Sequence, residues 1–285
     1  MGGWSRALLV PQVVRLGRRA PRVTSTRWER YWASTGATGD DGDVLWDSST
    51  PGEAQHYLEL LAAHADPRLP IVDLGCGNGR FTRALARHYP RVLGVDVAPA
   101  AITRARAETD GPGTPDPRRD VRFRAIDATA VGSGRRLREE VGGDAHVFIR
   151  GVLHVLDDDA RQRLVATVRA LVGSSGTVLV AETNHRGSAL SYLESLGATP
   201  RGMPAPLARA ISSGLPTPRP FGIDELNACF PPGRWEAVRT ERDAEITVVP
   251  LRRHGVPEHV PALVAVLRPR PGRAAGGVPP GEDPH

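Results

Sequence analysis

Apolar and polar positions along the middle of this chain follow two different periods. Short, nearly continuous apolar runs at residues 71–74, 92–97, 121–126, 145–149 and 177–181 are too short for buried helices and read as strands. Between them, residues 80–88, 98–107 and 158–172 carry apolar side chains three and four apart, the spacing of a helix with one buried face. The last of these puts Leu164, Val168, Leu171 and Val172 on that face. It begins behind Asp157, Asp158 and Asp159, which suit an N-cap and the helix dipole better than a metal ion. Strands alternating with helices predict a doubly wound α/β fold, a parallel sheet joined by right-handed crossovers.

The flanks are patterned differently. Ahead of the first strand, residues 27–32 read as a short aromatic helix and 53–65 as a longer one with Leu58, Leu60 and Leu61 on a buried face. A Gly/Asp-rich loop at 36–43 lies between them, followed by Val44, Leu45 and Trp46. Trp28, Trp32 and Trp46 are read first as packing on the sheet, with contact to a ligand as the second reading. After the fifth strand the alternation stops. Leu190, Leu193 and Leu196 suggest one helix and Leu207, Ile211 and Leu215 another, punctuated by Pro204, Pro206, Pro216, Pro218 and Pro220. An insertion at residues 185–221 lies above the carboxyl ends of the strands, where open α/β sheets bind ligands, and is the expected substrate lid. Residues 234–239, 245–249 and 262–267 are strand-like. The expected organisation is a basic flexible arm at 1–23, one domain over 24–269, and a Pro/Gly-rich disordered tail at 270–285.

Candidate chemistry begins at the end of the first strand, where Gly75, Gly77 and Gly79 alternate before a helix opens. Removing three Cβ atoms lets a ligand lie directly on the backbone. A dinucleotide fingerprint would need its third glycine at position 80, where the chain has Arg80, so NAD and FAD are disfavoured. The second strand ends in Asp96, 17 residues after Gly79, about where doubly wound folds place a ribose-binding carboxylate. Taken alone, Asp96 would also serve as a cap for the helix near Pro99, and Asp127, at the end of the third strand, as a turn residue.

The pattern D-x-G-x-G-x-G, in Asp73, Gly75, Gly77 and Gly79, resembles motif I of the class I S-adenosylmethionine-dependent methyltransferases, and the likeness runs from about residue 69 to residue 184. The resemblance implies a mostly parallel, seven-stranded Rossmann-like sheet with a helical lid, closed by an antiparallel hairpin from the last strand-like segments. It also implies S-adenosylmethionine as cofactor, on Asp73, Gly75, Cys76, Gly77 and Gly79, with the ribose at Asp96 and Val97 and the adenine amine at Asp127 and Ala128. Arg150 is counted on the cofactor side; the other readings have it orient an acidic substrate or pair with Asp144 or Glu182. Family members that methylate amine nitrogens of adenine, cytosine or glutamine carry an Asn/Asp-Pro-Pro-aromatic motif after the fourth strand, where this chain has Arg150-Gly151-Val152-Leu153. The expected acceptor is therefore an oxygen of a small molecule. His154 is the candidate general base, with a hydrogen-bonded core histidine as its other reading. Two alternatives stand beside this: methylation of RNA or protein, suggested by the arginine-rich arm, and a non-methylating descendant that still binds the cofactor.

Composition narrows the rest. No apolar run approaches the roughly 18–20 residues of a membrane span, and the apolar stretch of the arm is short and interrupted by Pro11, unlike a secretory signal. With only Cys76 and Cys229 there is neither a disulfide framework nor a zinc spacing, which fits a soluble protein of the reducing cytoplasm. The net charge is +5, yet all 37 basic residues are arginine. That is a compositional bias, so a nucleic-acid partner is not expected from charge alone. Without lysine, Schiff-base chemistry is excluded.

Overall fold

The computed structural model describes residues 3–18, 21, 23–39, 42–47, 51–110, 120–253 and 256–271, and in it the alternating segments form one seven-stranded sheet. The chain runs α1 (Gly3–Gly17), α2 (Thr24–Ala33), α3 (Pro51–His64), β1 (Ile71–Leu74), α4 (Arg80–Leu85), β2 (Arg91–Asp96), α5 (Pro99–Thr109), β3 (Asp120–Ala125), α6 (Ser133–Val141), β4 (His146–Arg150), α7 (Asp158–Val172) and β5 (Val178–Thr183). It continues with α8 (Ala189–Ser195), α9 (Ala205–Ser213), α10 (Ile223–Cys229), β6 (Trp235–Arg253) and β7 (Val256–Pro269). The strand order is β3-β2-β1-β4-β5-β7-β6, with the first five parallel and the last two antiparallel.

Strand periodicity builds two cores from this one sheet. Val72, Leu74, Val147 and Ile149 face α6, α7 and α10, while Ile71, Phe148 and Leu179 face α3 and α4. Because both faces are covered, β1, β4 and β5 are buried along their whole length, as their unbroken apolar runs require. Helix α7 starts where the acids predicted it: Asp157 is the N-cap and accepts from Ala160 N at 2.8 Å.

A third core lies above the carboxyl ends of the strands. It joins Leu9 of α1, Tyr31 and Trp32 of α2, Leu193 of α8, Leu207 and Ala210 of α9, and Val248 and Val260 of the distal β6–β7 hairpin. The lid is therefore wider than residues 185–221. It also corrects the reading of residues 1–23 as a flexible arm: α1 is a helix despite Pro11, Leu9 has no exposed surface, and Gln12 Nε2 donates to Pro200 O at 2.7 Å. Pro11 lies inside this helix and interrupts the apolar run without ending the element. Helices α6 and α10 were also missed. So was the unity of β6, which bulges at Ala237/Arg239, Glu241/Ala244 and Val248/Arg252, interrupting the alternation so that it reads as two strands. All but the first two residues of the expected tail at 270–285 lie outside the described residues. Among the described residues, no helix is long and apolar enough to cross a membrane.

Burial of α1 has a measurable consequence. Leu9→Ala should lower unfolding stability by about 2 kcal/mol or more, in line with buried leucine truncations. Chemical denaturation of the variant checks this, and a change of only a few tenths would return the segment to a loosely held arm.

Candidate active site

The glycine turn forms the floor of a cavity of about 680 Å³ at the carboxyl ends of β1, β2 and β4. Gly75, Gly77 and Gly79 all have left-handed backbone, with φ of +80°, +53° and +75°. The turn hangs from β2, because Gly75 N and Cys76 N both donate to Val95 O, at 2.7 and 3.0 Å. A Cβ on Gly77 would stand 2.7 Å from Trp32 Cζ2, so the turn and the aromatic helix α2 fit together only without that atom. Asp73, Gly75, Cys76, Gly77, Asp96, Val97, Asp127, Ala128 and Arg150 all line the cavity. Gly79 does not: it caps α4 from beneath, where an added Cβ would meet Phe123 at 2.7 Å. Trp28, Trp32 and Trp46 pack in the lid cluster and not on the sheet as expected, and all three line the cavity.

The carboxylates differ sharply in environment. Asp73 is 2 % exposed and accepts from Thr82 Oγ1 at 2.6 Å, which ties β1 to α4 beneath the turn. Burial, with the nearby charge of Asp96 adding to it, pushes its carboxyl from 3.8 up to about 7. Asp96 accepts from Gly77 N at 3.0 Å and Ala98 N at 2.9 Å, so it braces the glycine turn and the start of α5 together. Burial pushes it up to about 6. Asp127 is exposed and its Oδ1 accepts from both the amide and the hydroxyl of Thr129, at 2.8 and 2.6 Å, leaving Oδ2 toward solvent and cavity. On the outer side of the turn, Asp47 accepts from Gly39 N at 2.7 Å and Asn78 Nδ2 at 3.1 Å and pairs with Arg80 Nε at 2.6 Å. Position 80, where a dinucleotide fold needs glycine, thus serves to fasten the lid to the turn.

Arg150 pairs with neither Asp144 nor Glu182. Its Nε donates to Glu53 Oε1 at 2.6 Å, its Nη1 to Trp46 O at 3.0 Å, and its guanidinium lies 4.7 Å from the Phe81 ring centre. Asp144 is held instead by Arg138 and the turn at Ser174 and Ser175. The remaining guanidinium nitrogen of Arg150, Nη2, is buried with no partner at the cavity wall. That orphan donor, the bare glycine backbone and the Asp96 carboxylate fit a cofactor with an anionic end and a ribose, as the resemblance to S-adenosylmethionine enzymes implies.

His154 lies one step behind the large cavity, in the wall of a second cavity of about 80 Å³ beneath α8 and α9. The two cavities share Trp28, Trp46, Arg150, Gly151, Val155, Pro216 and Thr217. The ring is 7 % exposed and its Nδ1 is 2.5 Å from Glu182 Oε2. Glu182, wholly buried, also accepts from the amides of Val152 and Leu153, at 3.0 and 2.8 Å, and from that of His154 at 3.2 Å. A carboxylate on Nδ1 holds the proton there and leaves Nε2 as an acceptor. Sequence reasoning missed the roles of Glu53 and Glu182. Glu182 had a signal, an acid closing an otherwise apolar strand; Glu53, in the first turn of an ordinary amphipathic helix, had none. His185, just beyond the end of β5, lines neither cavity, and its ring packs on Tyr192 at 5.4 Å.

Known proteins resemble this chain in sequence and in fold. The methyltransferase domain family matches residues 71–176. A ubiquinone biosynthesis O-methyltransferase of Methylobacterium sp. (strain 4-46) is 33% identical over 202 residues, covering 65% of this chain and 73% of that protein. Its counterpart in Methylobacterium nodulans is 32% identical over 228 residues, covering 68% and 84%. Among solved structures, a SAM-dependent methyltransferase from Anabaena variabilis superposes with a TM-score of 0.73 at 23% identity, covering 88% of this chain and 97% of that one. An N-methyltransferase from Bradyrhizobium japonicum in complex with S-adenosyl-L-homocysteine superposes with a TM-score of 0.51 at 17% identity, covering 87% and 99%.

The two raised carboxyls make stability depend on pH. An acid whose folded value exceeds its unfolded one stabilises the fold when protonated; its contribution is complete below about 4 and is lost as pH rises through about 7 for Asp73. The cofactor-free protein should therefore lose on the order of 1–3 kcal/mol between pH 5 and pH 8, and Asp73→Asn should remove much of that loss. Thermal unfolding at the two pH values is the measurement, and an equal drop in the variant would contradict the assignment.

Proposed function

This chain belongs to the class I S-adenosylmethionine-dependent methyltransferase family, and we propose that it transfers the cofactor's methyl group to an oxygen of a small-molecule acceptor held under the lid. The observation that carries the oxygen reading is the His154–Glu182 pair, whose imidazole lines the smaller of the two adjoining cavities. S-Adenosylmethionine supplies a methyl group on a positively charged sulfur, so the protein has chiefly to align a nucleophile and exclude water.

On the cofactor side, the bare backbone at Gly75, Cys76 and Gly77 admits close contact, and the Asp96 carboxylate is the acceptor for ribose hydroxyls. Val97, Asp127 and Ala128 form the adenine end, and Arg150 Nη2 donates to the cofactor's carboxylate. Asp73 and Gly79 act from beneath, keeping β1, α4 and the turn in register.

On the acceptor side, Glu182 keeps the proton of His154 on Nδ1, so Nε2 takes the proton of an acceptor hydroxyl as its O–H bond breaks and its oxygen becomes the nucleophile. The aromatic lid residues Trp28 and Trp46 close the junction against water. The Arg150-Gly151-Val152-Leu153 sequence, in place of the nitrogen-methylating motif, and the two relatives named as O-methyltransferases support the same acceptor atom.

Calorimetric titration tests the cofactor half. S-Adenosylmethionine should bind the wild type, and Asp96→Ala should weaken it about tenfold or more; equal affinity would remove Asp96 from the site. For the acceptor half, His154→Gln should lower kcat about a hundred- to ten-thousandfold with cofactor affinity unchanged. Undiminished release of S-adenosylhomocysteine by that variant would make the histidine structural.

A further inference from the structure

Among the buried polar atoms with no hydrogen bond in the protein is the hydroxyl that ends β5 beneath the lid. Thr183, the last residue of β5, is 7 % exposed and lines the 80 Å³ cavity that also holds His154, and its Oγ1 is buried without a hydrogen bond. A hydroxyl in that position carries a desolvation cost unless a ligand completes it. The remaining wall is mostly apolar, chiefly Leu193, Leu207, Ile211, Leu215, Ile246 and Val248, with Tyr192 and Thr217 as its other hydroxyl-bearing residues. Arg150 is the one charged side chain among the described residues that line it; Glu53 balances that charge at 2.6 Å, and its remaining donor, Nη2, is the one assigned to the cofactor's carboxylate. His154 is likewise matched by Glu182. An acceptor carboxylate entering here would give up its hydration with no free counter-charge to replace it. A neutral hydroxyl on an apolar body faces no such cost, and finds one donor in Thr183 and one acceptor in His154.

We propose that the small cavity is the acceptor's pocket, that it selects neutral hydroxy compounds over carboxylates, and that Thr183 is the positioning residue that holds the reacting oxygen against His154. This rests on oxygen methylation as the activity. The cavity is too small for a whole acceptor of metabolite size, so the rest of the molecule extends across Trp46, Gly151 and Thr217 into the larger cavity.

The test uses the full chain saturated with S-adenosylhomocysteine, and calorimetric titration of phenol, benzoate and benzene. Phenol should bind at least about tenfold more tightly than benzoate. Thr183→Val, which keeps the shape of the side chain, should weaken phenol about tenfold and leave benzene unchanged, and Thr183→Ser should restore phenol binding. Because Oγ1 bonds to nothing in the fold, the thermal midpoint of Thr183→Val should be no lower than that of the wild type. Benzoate binding as tightly as phenol, or a loss in Thr183→Val shared equally by benzene, overturns the proposal. The parent reading fails separately: if these affinities behave as stated but no hydroxy compound yields S-adenosylhomocysteine from S-adenosylmethionine, oxygen transfer is wrong and the pocket assignment stands. If a hydroxy compound is methylated while phenol binds wild type and Thr183→Val alike, the reverse holds.

Discussion

The buried carboxylate of Glu182 is the contact on which the centre of this protein depends. A carboxylate with no exposed surface is tolerated only when its oxygens are fully engaged. Here it gathers three consecutive backbone amides, those of Val152, Leu153 and His154, together with the His154 ring. Those amides fix the short 3₁₀ turn at Leu153–Val155 that follows β4. The turn in turn sets Val152 against Gly75 and His154 against the lid. One side chain from β5 thus determines where the glycine turn meets its neighbour and where the imidazole lines the smaller cavity. The carboxylate and the histidine form a unit, since removing either leaves the other buried with an unmet group.

A second buried pair, Arg150 with Glu53, joins the end of β4 to the helix that precedes the sheet. Its partners are 97 residues apart in sequence, and both side chains are almost wholly enclosed. Such a pair contributes more to fixing one arrangement than to net stability, because most of its attraction is offset by lost hydration. It lies between α3, the Trp46 carbonyl and the Phe81 ring, so the lid cannot settle elsewhere without exposing an unbalanced charge. The Asp47–Arg80 pair fastens the same segment at its other end.

The sheet was legible because it follows local rules. Five apolar runs became the five parallel strands within a residue or two, and the acids Asp157 to Asp159 marked the start of α7 correctly. The glycine turn and Asp96 were legible as cavity residues because close backbone approach demands glycine, and both follow strand ends at a fixed spacing. What escaped was set by tertiary contact. Nothing near Glu53 announces that its partner is Arg150, and Pro11 interrupts the apolar run of a helix whose apolar side finds its cover only on α8 and α9. The separation of His154 from the large cavity was equally hidden, since it depends on the turn that Glu182 imposes from another strand. Thr183 was visible only as a strand end, and its unpaired hydroxyl can be seen only once every neighbour is in place.

Glu182 and Thr183 are adjacent on a strand, and adjacent strand residues project to opposite sides. The end of β5 therefore assigns its acid to one side and its hydroxyl to the other by parity alone, and the antiparallel pairing of Glu182 with Leu263 and Thr183 with Ala262 locks that assignment. A slip of one residue in this ladder would exchange the two, leaving an alcohol to cap three amides and a charge facing an apolar chamber. A deletion or insertion within β5 would break that parity. Diversification of this scaffold toward new acceptors has to proceed through the lid helices and not through the strand that supports them.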